Sequence, residues 1–313
     1  MTFKVLVTCP PMLEQIDSFQ NIFEEMDIQI TAPKIIQTMS EEDLIKIVPE
    51  HDGWIIGDDP ATSKVFDAGK NGLLKAAVKW GIGTDNVDFD ACKRLEIPIT
   101  NTPGIFGAEV ADLAMCYVLG LAREAFFIDR EIRNGYWPKP AGISLNKKVM
   151  GIVGLGDIGR HIASRAHAHE LKVIGWDPYA ENLDNFIHVQ NEWPDGIASC
   201  DFIVFSCALN KGNYHMLNND ILKLLKPGVR VVNISRGPLI DEQSLLKGLK
   251  NGVIHSAALD VFEEEPLKSD NKILDYPKCI LGSHNGSNTK EAVTRASNQA
   301  ILLLCEMLKN NLN

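Results

Sequence analysis

The sequence lacks the features that mark membrane-spanning, secreted and nucleic-acid-binding chains. No apolar run approaches membrane-spanning length, and the strand-like start at Met1–Val7 leads into polar residues rather than into the apolar core of a signal peptide. Basic residues number 31 against 41 acidic ones, the net charge is −10, and no basic stripe is present to neutralise nucleic-acid phosphates or anionic lipid. We therefore expect a cytoplasmic protein that binds neither nucleic acid nor membrane.

The sequence also lacks a C-x-x-C pair, an internal repeat and a low-complexity tract. Seven cysteines, an odd number without paired spacing, predict reduced and mostly buried thiols rather than disulfides or a zinc site. His161, His167 and His169 lie on or near one predicted helix, where solvated histidines are far commoner than metal ligands, so no metal site is predicted. With 313 residues, the chain exceeds the size at which a single core usually stops growing, which predicts two domains.

The most specific pattern is a glycine run between two apolar strands. It comprises Gly154, Leu155, Gly156, Asp157, Ile158 and Gly159, and it is followed by a helical stretch and a strand ending at Asp177. The three glycines suit a tight turn, the approach of a pyrophosphate to the backbone and close helix–strand packing. Asp177 comes 18 residues after Gly159, close to the spacing of about 20 at which a carboxylate holds the ribose hydroxyls. Because this carboxylate would repel a 2′-phosphate, the run predicts NAD rather than NADP as cofactor.

Short β-branched runs alternate with helical segments along the chain, the rhythm of parallel sheets covered by helices on both faces. A long, mostly apolar helix is predicted at Gly107–Arg133, and a capping box at Asn288–Glu291 opens a final amphipathic helix expected to return to the first domain. The predicted strands are Phe3–Thr8, Trp54–Ile56, Ala76–Lys79, Pro98–Thr100, Phe202–Ser206, Val229–Ile234, Ile254–Asp260 and Cys279–Leu281. The other predicted helices are Pro11–Glu25, Ser40–Ile47, Thr62–Ala68, Asp88–Leu95, Asn218–Leu225 and Glu242–Lys250.

Three loops that follow predicted strands carry most of the candidate chemistry. In open α/β sheets ligands bind beyond the carboxyl ends of the strands, so polar residues there are candidates for a site. The loops at 233–241, 259–266 and 281–286 supply one arginine, several carboxylates and one histidine. A cation for a carboxylate and a proton donor for an oxygen suit an anionic carbonyl substrate, which favours a hydroxyacid oxidoreductase.

Two further motifs lie outside the glycine run and these loops. The segment Trp80–Asp88 and the pair Asn101–Gly104 with Val110–Asp112 match a substrate-loop signature and an interdomain-helix signature. Together with the glycine run, Ser235–Gly237, Asp260–Pro266 and His284, they resemble the D-isomer-specific 2-hydroxyacid dehydrogenase family in the order of its motifs, over essentially the whole chain.

The resemblance implies an α/β protein with two Rossmann-like domains. We expect a flavodoxin-like substrate domain formed by residues 1–101 and 284–313, and an inserted NAD-binding Rossmann domain at residues 102–283. The family further implies a homodimer, formed through the nucleotide domain and the helix at Gly107–Arg133. The partners expected are NAD and a small 2-oxoacid or 2-hydroxyacid.

The resemblance also implies a role for each site residue. His284 would donate a proton to the substrate carbonyl, Glu265 would orient His284 and favour its charged form, and Arg236 would hold the substrate carboxylate. Glu263 and Glu264 are expected to be solvated loop charges. Backbone N–H groups of Ile82, Gly83 and Thr84 would also bind the carboxylate, and Asp260 would contact the nicotinamide carboxamide.

Departures from relatives narrow the substrate without fixing it. Glu265 stands where formate dehydrogenases have glutamine, and Ile82 where phosphite dehydrogenases have lysine, which argues against both activities. The pattern most resembles phosphoglycerate dehydrogenases, with glyoxylate or hydroxypyruvate reductases as the alternative, yet Asp58 and Asp59 lie where phosphoglycerate enzymes commonly carry arginine, and Ser283 replaces a usual proline. A catalytically silent, NAD-sensing corepressor is the alternative from another functional class.

Overall fold

The chain forms two units, each built on one parallel sheet. The structure is a computed structural model that describes residues 2–189 and 192–311. One unit comprises Met1–Ile105 and Asn288–Asn313, and the other comprises Phe106–Ser287. The second unit is thus a continuous segment between two segments of the first.

The first unit contains a five-stranded sheet in the order β2-β1-β3-β4-β5, with every pair parallel. This is the flavodoxin-like order, in which the direction of strand succession reverses between β1 and β3. Four of the strands begin and end within one residue of their predicted bounds, whereas β2, an edge strand, was not predicted. The strands are β1 Phe3–Val7, β2 Ile28–Thr31, β3 Gly53–Ile56, β4 Ala76–Lys79 and β5 Ile99–Asn101.

Three helices of the first unit begin after a residue whose side chain accepts a backbone N–H from the first turn. Ser40, Asp88 and Thr289 accept from Asp43, Ala91 and Ala292, respectively. The helix predicted at Pro11–Glu25 is wrong as one element, because a 3₁₀ turn at Ile16–Phe19 divides it. The helices are α1 Pro10–Glu14, α2 Gln20–Glu25, α3 Glu41–Ile47, α4 Ser63–Asn71, α5 Phe89–Arg94 and α11 Lys290–Asn310.

A buried polar cluster closes the carboxyl ends of β1 and β3. Asp59 is fully buried and accepts hydrogen bonds from the Thr8 hydroxyl, the Gly57 N–H and the Met39 N–H. The same Thr8 hydroxyl accepts the indole N–H of Trp54 at 2.9 Å. Burial raises the pKa of the Asp59 carboxyl above its usual value, against the effect of its hydrogen bonds. Thr8 therefore joins two strands through groups that have no access to water.

The second unit contains a seven-stranded sheet in the order β12-β11-β10-β9-β6-β7-β8, again parallel throughout. This is the Rossmann order extended by one strand, and it reverses between β6 and β9. The predicted fold class is confirmed, although β8, at the sheet edge, was not predicted. The strands are β6 Val149–Val153, β7 Lys172–Trp176, β8 Ile187–Val189, β9 Phe202–Phe205, β10 Val229–Asn233, β11 Ile254–Leu259 and β12 Ile280–Leu281.

The long helix predicted at Gly107–Arg133 is wrong as one element, because the chain breaks it at Glu124. Glu124 has a left-handed backbone, φ 54°, and its buried carboxylate lies 3.1 Å from the Lys278 ammonium and 3.4 Å from the His255 ring. No helix in the described residues is long and apolar enough to cross a membrane. The helices of this unit are α6 Gly107–Arg123, α7 Ala125–Arg133, α8 Asp157–Ala168, α9 Asn219–Leu222 and α10 Glu242–Lys250.

Replacing Thr8 with valine should destabilise the first unit. The substitution keeps the side-chain shape but leaves the Trp54 N–H without its acceptor and removes one of the two donors to Oδ2 of Asp59, a loss of about 1–3 kcal/mol in the free energy of unfolding. Thr294→Val is the matched control, since its exposed hydroxyl bonds only to the Lys290 carbonyl of its own helix. Urea unfolding of both variants tests this, and equal midpoints would contradict it.

Candidate active site

The glycine run lies where the second sheet reverses its strand order, between the end of β6 and the start of α8. Gly154 has φ 94°, and a Cβ there would lie 2.6 Å from the Cys207 backbone. A Cβ on Gly159 would lie 2.0 Å from the Gly154 carbonyl oxygen, so this glycine permits the helix to pack on the loop. A Cβ on Gly156, which precedes the first residue of α8, would meet nothing within 4 Å. Space thus remains beside the helix N-terminus, as an approaching pyrophosphate requires.

Asp177 follows β7 and is held beside this loop. Its two oxygens accept the N–H groups of Leu155 at 2.7 Å and Tyr179 at 2.8 Å. The guanidinium of Arg160 donates to three backbone carbonyls, including that of Leu155 at 3.0 Å. The loop and the carboxylate therefore have one arrangement, and that arrangement fits a dinucleotide with an unphosphorylated ribose.

Five of the seven cysteines are buried, as the sequence predicted, and Cys207 is one of the remaining two. It lies against the backbone of Gly154 at the end of β9. Burial raises the pKa of its thiol to about 11, with a smaller contribution from the Asp177 carboxylate. The thiol beside the glycine run is therefore protonated at neutral pH.

His284 and Glu265 form a hydrogen-bonded pair. The Nδ1 atom of His284 lies 2.8 Å from Oε2 of Glu265, and both side chains are about three-quarters buried. The other Glu265 oxygen accepts the N–H of Phe262 at 2.9 Å, which fixes the carboxylate in the loop after β11. The contact with Glu265 is made through Nδ1, so Nε2 is on the side of the ring away from that carboxylate.

The turn that carries His284 is bound to the end of β11. The N–H of His284 donates to the Asp260 carbonyl at 2.7 Å, and the N–H of Gly286 donates to the Asp260 carboxylate at 2.8 Å. His284 itself has φ 55°, a left-handed conformation that costs a non-glycine residue on the order of 1–3 kcal/mol. Strain of this size persists where surrounding bonds fix the backbone, and here they fix the presentation of one imidazole.

Arg236 follows β10, the strand next to β11. Asn233, which is buried, accepts the Ser235 N–H at 3.1 Å and donates to the Arg236 carbonyl at 2.8 Å, so it shapes the loop. A Cβ on Gly237 would lie 1.9 Å from the backbone carbon of Phe262. The arginine loop and the Glu265 loop are therefore in direct backbone contact, a proximity that their order in the sequence does not reveal.

The loop expected to bind the substrate carboxylate lies in the first unit, directly after β4. The Asn101 amide donates to the Ile82 carbonyl at 3.1 Å, and the Gly81 N–H donates to the Thr102 hydroxyl at 2.8 Å. The buried ammonium of Lys79 contacts this loop, donating to the Trp80 carbonyl at 2.9 Å. It also lies 3.1 Å from the carboxylate of Asp58, which follows β3.

Among residues 2–189 and 192–311, one group of three side chains of the kinds that bind metal ions comes together. Ligand atoms of His215, Asp241 and Glu263 lie within 4.8 Å of one another. Glu263 accepts the Glu242 N–H at 2.9 Å and pairs with His215 at 3.3 Å, and Asp241 accepts the Ser244 hydroxyl. One oxygen of Glu263 and one of Asp241 thus already accept hydrogen bonds from the protein.

Comparisons with known proteins agree with this geometry. Residues 115–286, more than half of the chain, match the family described as "D-isomer specific 2-hydroxyacid dehydrogenase, NAD binding domain". The chain belongs to this family. The resemblance drawn from the sequence motifs is thereby confirmed, as is NAD as the cofactor, and the family's NAD-binding domain contains the glycine run, Arg236, Glu265 and His284.

Curated relatives of this chain are named as two different enzymes. A D-3-phosphoglycerate dehydrogenase of Sus scrofa is 36% identical over 87% of this chain, which spans about half (52%) of that protein's length. A hydroxypyruvate reductase of Thermotoga maritima is 31% identical over 89% of this chain and 90% of its own. The solved structure of the TT0316 protein from Thermus thermophilus superposes with a TM-score of 0.87, at 25% identity, over 98% of this chain and 97% of that one.

Two residues support this site in ways that the sequence patterns did not reveal: Tyr117 was not singled out at all, and Asn233 was only part of a candidate loop. Tyr117, on α6, donates to the Asp260 carboxylate at 3.1 Å, and Asn233 shapes the arginine loop. A buried polar residue inside an apolar stretch was the available signal for both, but it does not identify a partner that is distant in sequence.

The two glycines at the start of α8 give a matched pair of variants. Gly156→Ala should fold with nearly unchanged thermal stability and bind NADH more weakly, because its methyl group enters only the space beside the helix N-terminus. Gly159→Ala should lower the melting temperature, because its methyl group would overlap the Gly154 carbonyl. Calorimetry and NADH fluorescence titration measure the two effects, and a stability loss confined to Gly156→Ala would contradict the assignment.

Proposed function

We propose that this chain is an NAD-dependent dehydrogenase that interconverts a D-2-hydroxyacid and the corresponding 2-oxoacid. The observation that carries the proposal is the His284–Glu265 pair, 2.8 Å apart, in the unit that contains the NAD-binding glycine run. Bound NADH supplies the hydride in the reductive direction. The residues of the chain then have to bind the acid, orient it and deliver one proton.

His284 acts as the proton donor. The carboxylate of Glu265 stabilises the imidazolium and holds Nδ1, so Nε2–H is the group that donates to the carbonyl oxygen as the carbonyl carbon is reduced. In the oxidative direction the neutral ring accepts the hydroxyl proton at the same nitrogen. One histidine therefore serves both directions without changing its contacts.

Arg236 holds the carboxylate of the substrate. Its planar guanidinium can form two parallel hydrogen bonds to a carboxylate, which fixes the orientation of the neighbouring carbonyl. Backbone N–H groups of Ile82, Gly83 and Thr84 are the proposed second contact of the same carboxylate. Asp260 is the proposed acceptor for the nicotinamide carboxamide; both of its oxygens already accept one hydrogen bond, and each has a further lone pair.

The substrate itself is proposed to be a short 2-oxoacid without a phosphate, as in glyoxylate or hydroxypyruvate reduction. The Lys79 ammonium, the cation beside the proposed substrate loop, is paired with Asp58. Its charge is thus already balanced by a carboxylate that would repel a phosphate. A phosphorylated acid is the second candidate, supported by the 36% identity to the D-3-phosphoglycerate dehydrogenase of Sus scrofa.

The remaining expectations about this chain are part of the same proposal. We propose a substrate-binding role for the first unit, a homodimer and a cytoplasmic location, on the resemblance and the composition described above. A silent NAD-sensing corepressor is the alternative function. The intact His284–Glu265 pair favours the enzyme, because a sensor needs no proton donor.

Removing the proton donor should slow turnover strongly and leave cofactor binding intact. His284→Ala should lower kcat by about 10²–10⁴-fold, the usual contribution of a general acid, and Glu265→Gln by less, since the ring remains. NADH oxidation is followed with glyoxylate, pyruvate, hydroxypyruvate, 2-oxoglutarate and 3-phosphohydroxypyruvate, with NADPH as cofactor control and the exposed His188→Ala as matched control. Tight NADH binding by the unaltered protein without turnover on any acid would favour the sensor.

Removing the charge of Asp58 should increase the use of a phosphorylated acid. Asp58→Asn keeps the side-chain shape and leaves the positive charge of Lys79 unbalanced, so KM for 3-phosphohydroxypyruvate should fall about tenfold relative to KM for glyoxylate. Asp52→Asn, which breaks the Lys75 pair at the start of β3, is the control. Unaltered protein that already prefers the phosphorylated acid would overturn the proposed substrate.

A further inference from the structure

Tyr117 is a buried phenol on α6 that contacts the residue beneath the His284 turn. Its hydroxyl donates to Oδ1 of Asp260 at 3.1 Å, and the two side chains are 5% and 1% exposed. Burial, together with the charge of Asp260, raises the pKa of Tyr117 above its usual value. The phenol is therefore a permanent donor at neutral pH, and Asp260 is its acceptor.

Asp260 in turn holds the His284 turn at two points. Its carbonyl accepts the His284 N–H and its Oδ2 accepts the Gly286 N–H, at 2.7 and 2.8 Å. Two residues before His284, the Gly282 N–H donates to the Leu259 carbonyl at 2.8 Å. Because Gly286 is bonded to Oδ2, its position depends on how the Asp260 carboxylate is rotated. The Tyr117 hydroxyl holds the other oxygen of this carboxylate, Oδ1.

The space between Tyr117 and the turn is filled. A Cβ on Gly282 would lie 2.4 Å from the Tyr117 hydroxyl and 2.2 Å from Oδ1 of Asp260. The chain therefore passes the phenol–carboxylate pair in direct contact immediately before it reaches His284. Removing the hydroxyl frees both the carboxylate and the backbone beside it.

We propose that Tyr117 is a positioning residue, whose hydroxyl fixes Asp260 and, through it, the turn that presents His284 to the substrate carbonyl. The proposal rests on the proposed function, because it assigns His284 the role of proton donor. The main effect expected is on the geometry of proton transfer. Because Asp260 is also the proposed acceptor for the nicotinamide carboxamide, NADH affinity should weaken, whereas the stoichiometry of NADH binding should be unchanged.

The test compares Tyr117→Phe with Tyr276→Phe in the full-length chain. Tyr276 is a matched control, since its partly buried hydroxyl donates to a carbonyl, that of Leu246, and has no contact with Asp260. Hydrogen–deuterium exchange of the peptide at 282–287 should be about tenfold faster in Tyr117→Phe and unchanged in Tyr276→Phe. This measurement requires no turnover, so it decides the structural part even if the proposed function fails.

Kinetics decide the functional part. In Tyr117→Phe, kcat and kcat/KM for the best oxoacid should fall together on the order of tenfold, with NADH stoichiometry retained and a larger solvent deuterium isotope effect on kcat. Unchanged exchange, or faster exchange with unchanged kcat, would overturn the proposal. An equal loss of kcat in Tyr276→Phe would also overturn it, because the effect would then reflect stability alone.

Discussion

The candidate active site of the second unit is organised by one carboxylate, which makes a contact through each of its two oxygens. Glu265 accepts a backbone N–H from Phe262 with one oxygen and holds the His284 ring with the other. The pair forms because β11 and β12 are in parallel register, with Leu259 opposite Leu281, so that the loops after them begin side by side. Any shift of that register would separate the acid from the histidine, however well each loop were formed.

Close contacts at glycines, which have no side chain, bring the other loops to the same edge of the second sheet. Gly237 touches the backbone near Glu265, and Gly159 touches the loop after β6. A methyl group at either position would overlap a neighbouring backbone. The cofactor loop and the arginine loop can therefore pack in this way only with glycine at the contact. The candidate site residues on these loops are thus positioned by glycines that have no chemistry of their own.

Much of this could be predicted from the sequence, and the failures have physical causes. Apolar central strands and capped helices carry local signals, and the order of motifs singled out His284 and Glu265, which the fold brings into contact, together with Arg236. The edge strands β2 and β8 are short and half polar, so periodicity did not reveal them. The break at Glu124 was missed because glutamate favours helices, and its left-handed backbone accompanies contacts with Lys278 and His255, distant in sequence.

The protonated state of the Cys207 thiol affects its chemical reactivity. With a pKa of about 11, only about one molecule in ten thousand carries the thiolate at pH 7, which is the form that peroxides and alkylating agents attack. Partial burial just after β9 therefore keeps a sulfur atom beside the cofactor loop in its less reactive form.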